Sequence, residues 1–275
     1  GSGVNAGLLL ATGCYFKVVD SDDWLSEDAY RRLLARVKAF CTGALSEPMD
    51  QPDLIVCNYT YNHLEEGTAH TMAYRNVFPA ETPCTWNDIG HFRPSQYLIM
   101  HALIYRTAVL RETGICLPEH TFYVDNIYAY VPLPRCKTMY YADIDLYRYF
   151  IGREGQSVNE ATMVKRLDQQ FRVTRIMMES YHLYSDVESS RLRSYMMGYF
   201  TMMMAICSVL TKLSEEDCAD ERLKTLWNDL KAYDERMYRR ARYGVVGFFT
   251  NLRGRAGDKT TLGLYRLASK IFKFN

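Results

Sequence analysis

The amino-acid sequence predicts an α/β fold, a sheet with its helices, followed by a region built of helices alone. Up to about residue 157, short apolar runs bounded by Gly and Pro alternate with helical patterns, which is typical of α/β units. From residue 160 onward the patterns are long and helical, with few Gly or Pro residues. We therefore expect two domains, residues 1–157 and residues 158–275.

The elements of the first domain follow from local patterns. Residues 4–11 predict a helix that ends at Gly13, and residues 14–19, rich in aromatic and β-branched side chains, predict a strand. Ser26 begins the next helix, whose apolar face repeats at helical spacing. The remaining patterns predict strands over 53–61, 102–106, 136–142 and 146–150, an edge strand or hairpin within 68–79, and helices over 94–100, up to Gly114, and over 122–131.

Composition and charge exclude several classes of protein. The chain is 48% hydrophobic and 24% charged, which is globular rather than disordered, and its net charge of +1 gives no global attraction for nucleic acid. None of the eight cysteines forms a CxxC pair, so we expect mostly buried free thiols in a reducing cytoplasm. The uncharged stretch 194–211 approaches the length of a membrane span, but its hydroxyl residues favour a buried helix.

The C-terminal tail is basic. From Arg236 onward the sequence has ten Lys and Arg residues and one acidic residue, Asp258. Apolar side chains alternate with the basic ones. A basic amphipathic end is typical of a peripheral contact with an anionic membrane surface. A solvated terminus fits the same pattern and stays open. A nucleic-acid contact is the weakest interpretation, because no binding motif is present.

An acidic run follows the first predicted strand. Asp20, Asp22 and Asp23 fall within four residues, at the strand end where ligands bind in open α/β sheets. Mn²⁺ or Mg²⁺ prefers such hard oxygen ligands and would offset the repulsion among the carboxylates. The spacing fits equally well an N-terminal cap of the following helix, so the run alone leaves both interpretations open.

The flanking residues carry a resemblance to a known family. Asn5-Ala6-Gly7, Ala11-Thr12-Gly13, Tyr15-Phe16 and Val18-Val19-Asp20-Ser21-Asp22-Asp23-Trp24-Leu25 stand in the order of the central block of family 2 glycosyltransferases. The resemblance implies a Rossmann-like GT-A sheet that binds a nucleotide-sugar donor and a Mn²⁺ or Mg²⁺ ion. It makes Asp22 the better metal ligand, places Asp20 near the metal or the ribose, and leaves Asp23 to orient the sugar or cap the helix.

The same comparison indicates that the sheet is incomplete. The family's opening strand with Pro-x-Tyr/Phe-Asn and its Asp-Gly-Ser motif, which hold the base and ribose, have no counterpart here. We expect that about 80 to 100 residues of a typical member precede this chain. The alternative to an enzyme is therefore a non-catalytic, glycosyltransferase-like fragment that serves as a binding or interaction module.

Further site residues are implied downstream. Asp125, within residues 117–126, matches the acidic general base of the family, with Glu119 and His120 as alternatives and a helix cap as the competing role. Arg153 lies in a loop where it would stabilise the leaving diphosphate, unless it forms only a surface salt bridge. Trp86 and His101 fall where the acceptor site is expected, although such residues are more often core.

These features together predict a reaction. The chain would carry part of a metal-dependent, inverting glycosyltransferase that moves a sugar from a nucleotide diphosphate to a glycan or lipid-linked acceptor, as in cell-surface polysaccharide synthesis. We expect it in the cytoplasm or at the inner face of the membrane. The donor and acceptor identities lie beyond these motifs.

Overall fold

The computed structural model describes residues 1–43, 51–63, 67–94, 96–151, 159–252 and 254–272. The chain divides into two compact units, residues 1–154 and 155–275. The first contains a mixed sheet with short helices, and the described part of the second contains helices alone. The predicted fold class, α/β followed by a C-terminal helical region, is confirmed.

One sheet organises the first unit. Its central strands are β3 and β7, which run parallel, and all other pairings between strands of the sheet are antiparallel. The order is β1-β6-β3-β7-β2, with β4 also paired to β3 and β5 to β7. The strands are β1 (Tyr15–Phe16), β2 (Trp24–Leu25), β3 (Leu54–His63), β4 (Thr68–Met72), β5 (Pro83–Cys84), β6 (Leu103–Arg106) and β7 (Met139–Ile151).

Helices pack against this sheet. They are α1 (Ser2–Leu10), α2 (Glu27–Thr42), α3 (Thr107–Glu112) and α4 (Asp125–Tyr130). The apolar face of α2 contributes Leu33 and Phe40 to a core that also includes Ile55 of β3 and Leu146 of β7. Burial of such side chains stabilises the fold by roughly 1.5–3 kcal/mol each. That core fixes the start of α2, and with it the acidic run just before.

The centre of the sheet carries a bulge. The register between β3 and β7 shifts on both sides of Asn58, opposite the stretch from Ala142 to Asp145. Asn58 is fully buried, and its amide donates to Asp143 Oδ1 and Asp145 Oδ1, both at 2.9 Å. Tyr141 Oη donates back to Asn58 Oδ1 at 2.6 Å. We call these four residues the sheet-bulge network; its side chains satisfy one another because a bulge leaves backbone and polar groups unpaired.

Several predicted boundaries are corrected by the pairing. The strand expected over 14–19 is reduced to Tyr15–Phe16, the part that pairs with β6. The helix expected over 94–100 is absent from the residues described there, and a 3-10 turn begins only at Met100. The two strands expected over 136–142 and 146–150 are one, β7, because the bulge lets pairing continue.

The second unit is a helical assembly around one apolar helix. That helix, α8 (Ser190–Leu213), has Phe200, Met203 and Cys207 buried along its length. Among the described residues it is the one helix long and apolar enough to cross a membrane, and most of its apolar window is buried inside the chain. The others are α5 (Glu160–Lys165), α6 (Leu167–Glu179), α7 (Leu183–Asp186), α9 (Ala219–Tyr233), α10 (Glu235–Tyr243), α11 (Val245–Thr250) and α12 (Gly254–Phe272).

All eight cysteines are free thiols. Cys57, Cys84, Cys136 and Cys207 are buried, as expected, whereas Cys41 is partly exposed. The remaining three are exposed: Cys14, Cys116 and Cys218. The apolar neighbours in the sequence therefore identified the thiols within the sheet and α8, but not those near helix ends.

Candidate functional site

The acidic run forms a tight turn at one edge of the sheet. The Asp23 N–H donates to the Asp20 carbonyl at 3.2 Å, which closes the turn between β1 and β2. The Asp23 carboxylate is 1% exposed, whereas that of Asp20 is 45% exposed. Asp23 accepts hydrogen bonds from Tyr147 Oη at 2.7 Å and from the Phe150 N–H at 2.9 Å. Strand β7 thus holds Asp23 in one orientation and leaves Asp20 open on one side.

His101 approaches the turn from a distant part of the chain. It lies in the 3-10 turn Met100–Ala102, immediately before β6. Its Nε2 lies 3.8 Å from Asp20 Oδ2 and 3.7 Å from Asp23 Oδ2. Burial, together with the charge of Lys17, lowers the pKa of His101 to about 3, so the ring is neutral and these contacts are not salt bridges.

Lys17 fixes the backbone of the His101 turn. Its Nζ donates to the carbonyls of Met100 at 3.2 Å and His101 at 2.8 Å, and lies over the Tyr147 ring. Burial lowers the pKa of Lys17 to about 8, although Asp20 and Asp23 oppose that shift. A lysine saturated by carbonyls cannot neutralise the carboxylates fully. The pKa of Asp20 is accordingly raised, first by burial and then by the charges of Asp23 and Asp22.

These residues form a group able to hold a metal ion. One ligand atom from each of Asp20, Asp23 and His101 lies within 4.8 Å of the other two. Two carboxylates and a neutral imidazole suit a divalent cation, and the unpaired nitrogens of His101 fit a ligand role. Asp22, the ligand favoured by the resemblance, is exposed and lies outside this group. Its metal role stays a prediction.

Asp125 opens α4 and lies close enough to sense the charge of Asp20. Burial and then that charge raise the pKa of Asp125 to about 6, against the lowering effect of its own N–H and that of Asn126. A carboxyl group with a pKa near neutrality is ionised in solution at pH 7 and still able to take up a proton. Its position at the start of a helix also fits a cap, the competing role that the sequence left open.

Tyrosines from β3 and β7 surround His101. The His101 ring stacks on Tyr149, with centroids 4.3 Å apart and an interplanar angle of 26°, and meets the edge of Tyr147 at 4.6 Å. Tyr149 also contacts Tyr61. Burial, followed by the charges of Asp125 and the turn carboxylates, raises the pKa of Tyr149. We call Asp20, Asp23, His101 and Asp125 the acidic site, and these tyrosines form its wall.

The other sequence-predicted residues lie elsewhere. Trp86 is a core residue, 5% exposed; its indole N–H donates to the Cys136 carbonyl at 2.7 Å, and its ring packs on Phe78. The structure therefore does not bring Trp86 to the acidic site. Glu119 and His120 are exposed, and the fit of Asp125 with the site favours it over both. Arg153 lies outside the described residues.

Lys17 and Tyr147 contact the acidic site but are not among the site residues that the sequence predicts. Lys17 is the one charged residue in an otherwise apolar run, Phe16-Lys17-Val18-Val19, and that pattern is a usable signal because an unpaired Lys is rarely tolerated in a sheet core. Tyr147 belongs to the Tyr147-Arg148-Tyr149 run, whose alternation points both rings to one face of β7. Their partners, however, come from remote segments.

Among known proteins, similarity to this chain is found at the level of solved structures. No family model matches the chain, and no curated protein matches it. A solved structure described as S. aureus TarS 1–349 in complex with UDP is similar over 88% of this chain and 70% of that chain. The identity is 14% and the TM-score 0.41, so the likeness does not decide what this chain does.

Proposed function

We propose that this chain is the metal-binding and acceptor-side part of an inverting glycosyltransferase that uses a nucleotide-sugar donor. The observation that carries the proposal is the acidic site. A carboxyl group whose pKa is raised to about 6, Asp125, shares a site with two carboxylates and a buried neutral histidine. The motif order around Asp20 to Asp23 supports the same chemistry. A glycan or lipid-linked molecule is the acceptor in this proposal.

Asp125 is the general base. Inverting transfer needs a group that removes the proton from the acceptor hydroxyl as that oxygen attacks the sugar. The ionised Asp125 carboxylate accepts this proton at a stage when the bond to the diphosphate breaks. Its raised pKa makes the transfer favourable, and the backbone N–H groups of Asp125 and Asn126 hold its orientation. The cap role and the base role are compatible, because a carboxylate has two oxygens that can each accept hydrogen bonds.

Asp20, Asp23 and His101 would hold a metal ion that stabilises the departing diphosphate. A bound Mn²⁺ or Mg²⁺ would supply positive charge against the departing diphosphate. Asp23 contributes a carboxylate that Tyr147 and the Phe150 N–H hold in place, and Asp20 contributes one that is open to solvent. Two further residues are candidates for contact with the donor. They are Asp22, which is exposed next to Asp23, and Arg153, which follows β7 in the sequence.

The test measures the release of nucleotide diphosphate from a panel of nucleotide-diphosphate sugars with Mn²⁺. It compares this chain with its Asp125→Asn variant. Loss of a positioned base lowers the rate by roughly 10²–10⁴-fold. Asp28→Asn is the matched control, because Asp28 is an exposed carboxylate in the first turn of α2 and leaves the rate unchanged.

Two outcomes would contradict the proposal. Equal turnover by wild type and Asp125→Asn would remove the base from the mechanism. Absence of release from any donor, with Mn²⁺ binding retained, would instead support the metal-binding interaction module. Asp22→Ala, measured alongside Asp20→Ala, separates the two possible metal ligands: the true ligand is the one whose loss raises the Mn²⁺ concentration needed for half-maximal rate.

We also propose that the second unit contacts an anionic membrane surface. Five side chains at the end of α10 and along α11 are apolar and exposed. We call this set the apolar ridge: Tyr243, Val245, Val246, Phe248 and Phe249. Gly247 packs so tightly that a Cβ there would meet the Ala241 carbonyl oxygen at 1.7 Å, so α11 turns its larger side chains outward.

Basic residues adjoin the ridge in the sequence and complement an anionic surface. Arg240 and Arg255 are exposed, whereas Arg239 pairs with Glu235 at 2.8 Å and contributes less net charge. Each basic residue near an anionic surface contributes about 1 kcal/mol, and inserted aromatic rings add to it. Lipid-linked acceptors are held at such a surface, so the contact would bring the enzyme to its substrate.

Vesicle co-sedimentation tests this contact. Val246→Ser with Phe248→Ser should lower binding to vesicles rich in phosphatidylglycerol by about tenfold or more, since each residue loses apolar burial of the order of 1 kcal/mol. The matched control is Leu9→Ser with Leu10→Ser on α1, two apolar side chains of the other unit that are even more exposed. Unchanged binding in the ridge variant, or equal binding to neutral vesicles, would defeat the membrane proposal.

A further inference from the structure

His101 is a buried side chain whose chemistry is not used within the fold. It is 5% exposed, and neither ring nitrogen has a hydrogen-bond partner in the part of the chain that the structure describes. Buried polar atoms nearly always have a hydrogen-bond partner. Two ring nitrogens without one therefore indicate a binding partner from outside the fold. The Lys17 contact does not supply it, because Lys17 bonds the carbonyl of His101 and not the ring.

The distances around His101 are those of ligands sharing an ion. Nε2 lies 3.8 Å from Asp20 Oδ2 and 3.7 Å from Asp23 Oδ2, too far for hydrogen bonds, which span about 2.7–3.2 Å. Two atoms each about 2.1 Å from one cation are about 3.0 Å apart at a right angle and about 4.2 Å apart in line. The observed separations fall between these limits, so small rotations would complete the coordination.

The ring is also held in advance of any ligand. Stacking on Tyr149 and the edge contact with Tyr147 restrict its rotation, and Lys17 restricts its backbone. Tyr147 in turn donates to Asp23 Oδ2 and accepts the Asp20 N–H at 3.1 Å. A single tyrosine therefore holds the Asp23 carboxylate, the Asp20 backbone and the imidazole edge, as groups behind metal ligands commonly do.

We propose that His101 is the nitrogen ligand of this site and makes it select a dication of the Mn²⁺ to Zn²⁺ series over Mg²⁺. The proposal rests on the proposed function only for the role of the ion, not for its binding. Mg²⁺ demands oxygen ligands and keeps its waters, so an imidazole adds little to its affinity. Transition-metal dications accept imidazole, and their affinity for mixed nitrogen and oxygen sites rises along the series from Mn²⁺.

Mn²⁺ binding to the full chain tests the ligand directly. Electron paramagnetic resonance measures free Mn²⁺, and pulsed measurements detect a nitrogen bonded to the ion. Wild type should show one nitrogen coupling and a Mn²⁺ affinity at least tenfold above that for Mg²⁺, measured by competition. His101→Phe, which keeps the ring stacking, should lose the nitrogen coupling and most of the tenfold preference while Mg²⁺ affinity changes by less than about threefold.

The controls separate the possible failures. His182→Phe removes a partly exposed histidine of the second unit and should leave coupling and affinity unchanged. If His101→Phe is misfolded by near-ultraviolet circular dichroism, His101→Gln replaces it. Mn²⁺ bound to wild type without nitrogen coupling, or equal Mn²⁺ and Mg²⁺ affinities, overturns the inference while leaving the base test on Asp125 standing. Loss of donor turnover in Asp125→Asn, with the coupling intact, is the converse result.

Discussion

The acidic site and the sheet-bulge network both bring aspartates against tyrosines of β7 yet differ in how their carboxylates are satisfied. In the network, Asp143 accepts from Asn58, Tyr141 and Arg75, and although burial opposes it, these bonds lower its pKa. In the acidic site the carboxylates face one another and a neutral histidine. The pKa values of Asp20 and Asp125 are raised.

The difference shows how to tell a structural carboxylate from a functional one. Glu81 beside the network follows the first pattern: Arg36 donates to both of its oxygens at 2.7 and 2.8 Å, Tyr140 adds a bond at 2.6 Å, and its pKa is lowered despite burial. Donors from the fold complete that site. At Asp20 and Asp125, burial and the neighbouring negative charges outweigh the groups that lower the pKa, so these carboxylates favour binding of a cation or a proton.

The largest expected effect comes from breaking the network. Asn58→Ala removes the buried amide that bonds the partly buried carboxylates of Asp143 and Asp145, and should lower the free energy of unfolding by about 4 kcal/mol, since each hydrogen bond to a charged group contributes about 1.5–3 kcal/mol. Urea unfolding measures it. Asn62→Ala on the same strand removes only a local bond to the Thr60 carbonyl and should cost about 1 kcal/mol. Equal losses would mean that the network is not special.

Removing the Asp125 carboxylate from the acidic site should instead raise the free energy of unfolding. The folded pKa of Asp125 is about 6 and its unfolded value about 3.9, so ionisation destabilises the fold above pH 6 and the stability is recovered as the pH falls below 3.9. Asp125→Asn should therefore stabilise the chain by up to about 3 kcal/mol at pH 8 and by little at pH 4. Thermal unfolding at both values checks this. A variant destabilised at pH 8 would show that Asp125 is a structural cap.

Binding of a metal ion at Asp20, Asp23 and His101 should raise the free energy of unfolding. At a Mn²⁺ concentration 100 times the dissociation constant, binding stabilises the folded chain by about 2.7 kcal/mol, and a chelator removes that gain. Asp20→Asn with Asp23→Asn should abolish the response. Asp143→Asn, a carboxylate of the network, should keep it. A response retained in the first variant would place the ion elsewhere.

The smallest effect is expected from the exposed ion pair beside the network. Arg36 and Glu81 are partly exposed, so Arg36→Met should lower the free energy of unfolding by less than about 1 kcal/mol. Because the pKa of Glu81 is lowered in the folded chain, the pair's contribution is present above the unfolded pKa and is lost as the pH falls through the folded value. The difference between wild type and variant, measured by thermal unfolding, should therefore shrink as the pH falls below the ordinary range of a glutamate.

The sequence predicted the elements that local patterns control. It placed β3, β6 and the helix after Ser26 within a few residues, because alternation, capping and apolar periodicity are local. It divided β7 in two and lengthened β1, because strand limits depend on the partner strand and on a bulge that no local pattern marks. The helix expected over 94–100 fails for the same reason: Gln96 instead bonds Asn76 across the loop at 3.0 Å.

The acidic run shows which features of the site the sequence predicts and which only the tertiary structure determines. Residue types and order, with the family resemblance they carry, predicted a cation at Asp20 to Asp23 and a base at Asp125, but they wrongly extended the strand to the acidic run. Only the tertiary structure joined Asp20 and Asp23 to His101, 78 residues beyond Asp23 (101 − 23), and left Asp22 outside that group. The physical reason is that ligand geometry depends on strand order and on which carboxylate β7 anchors, and both are set by pairings between remote segments.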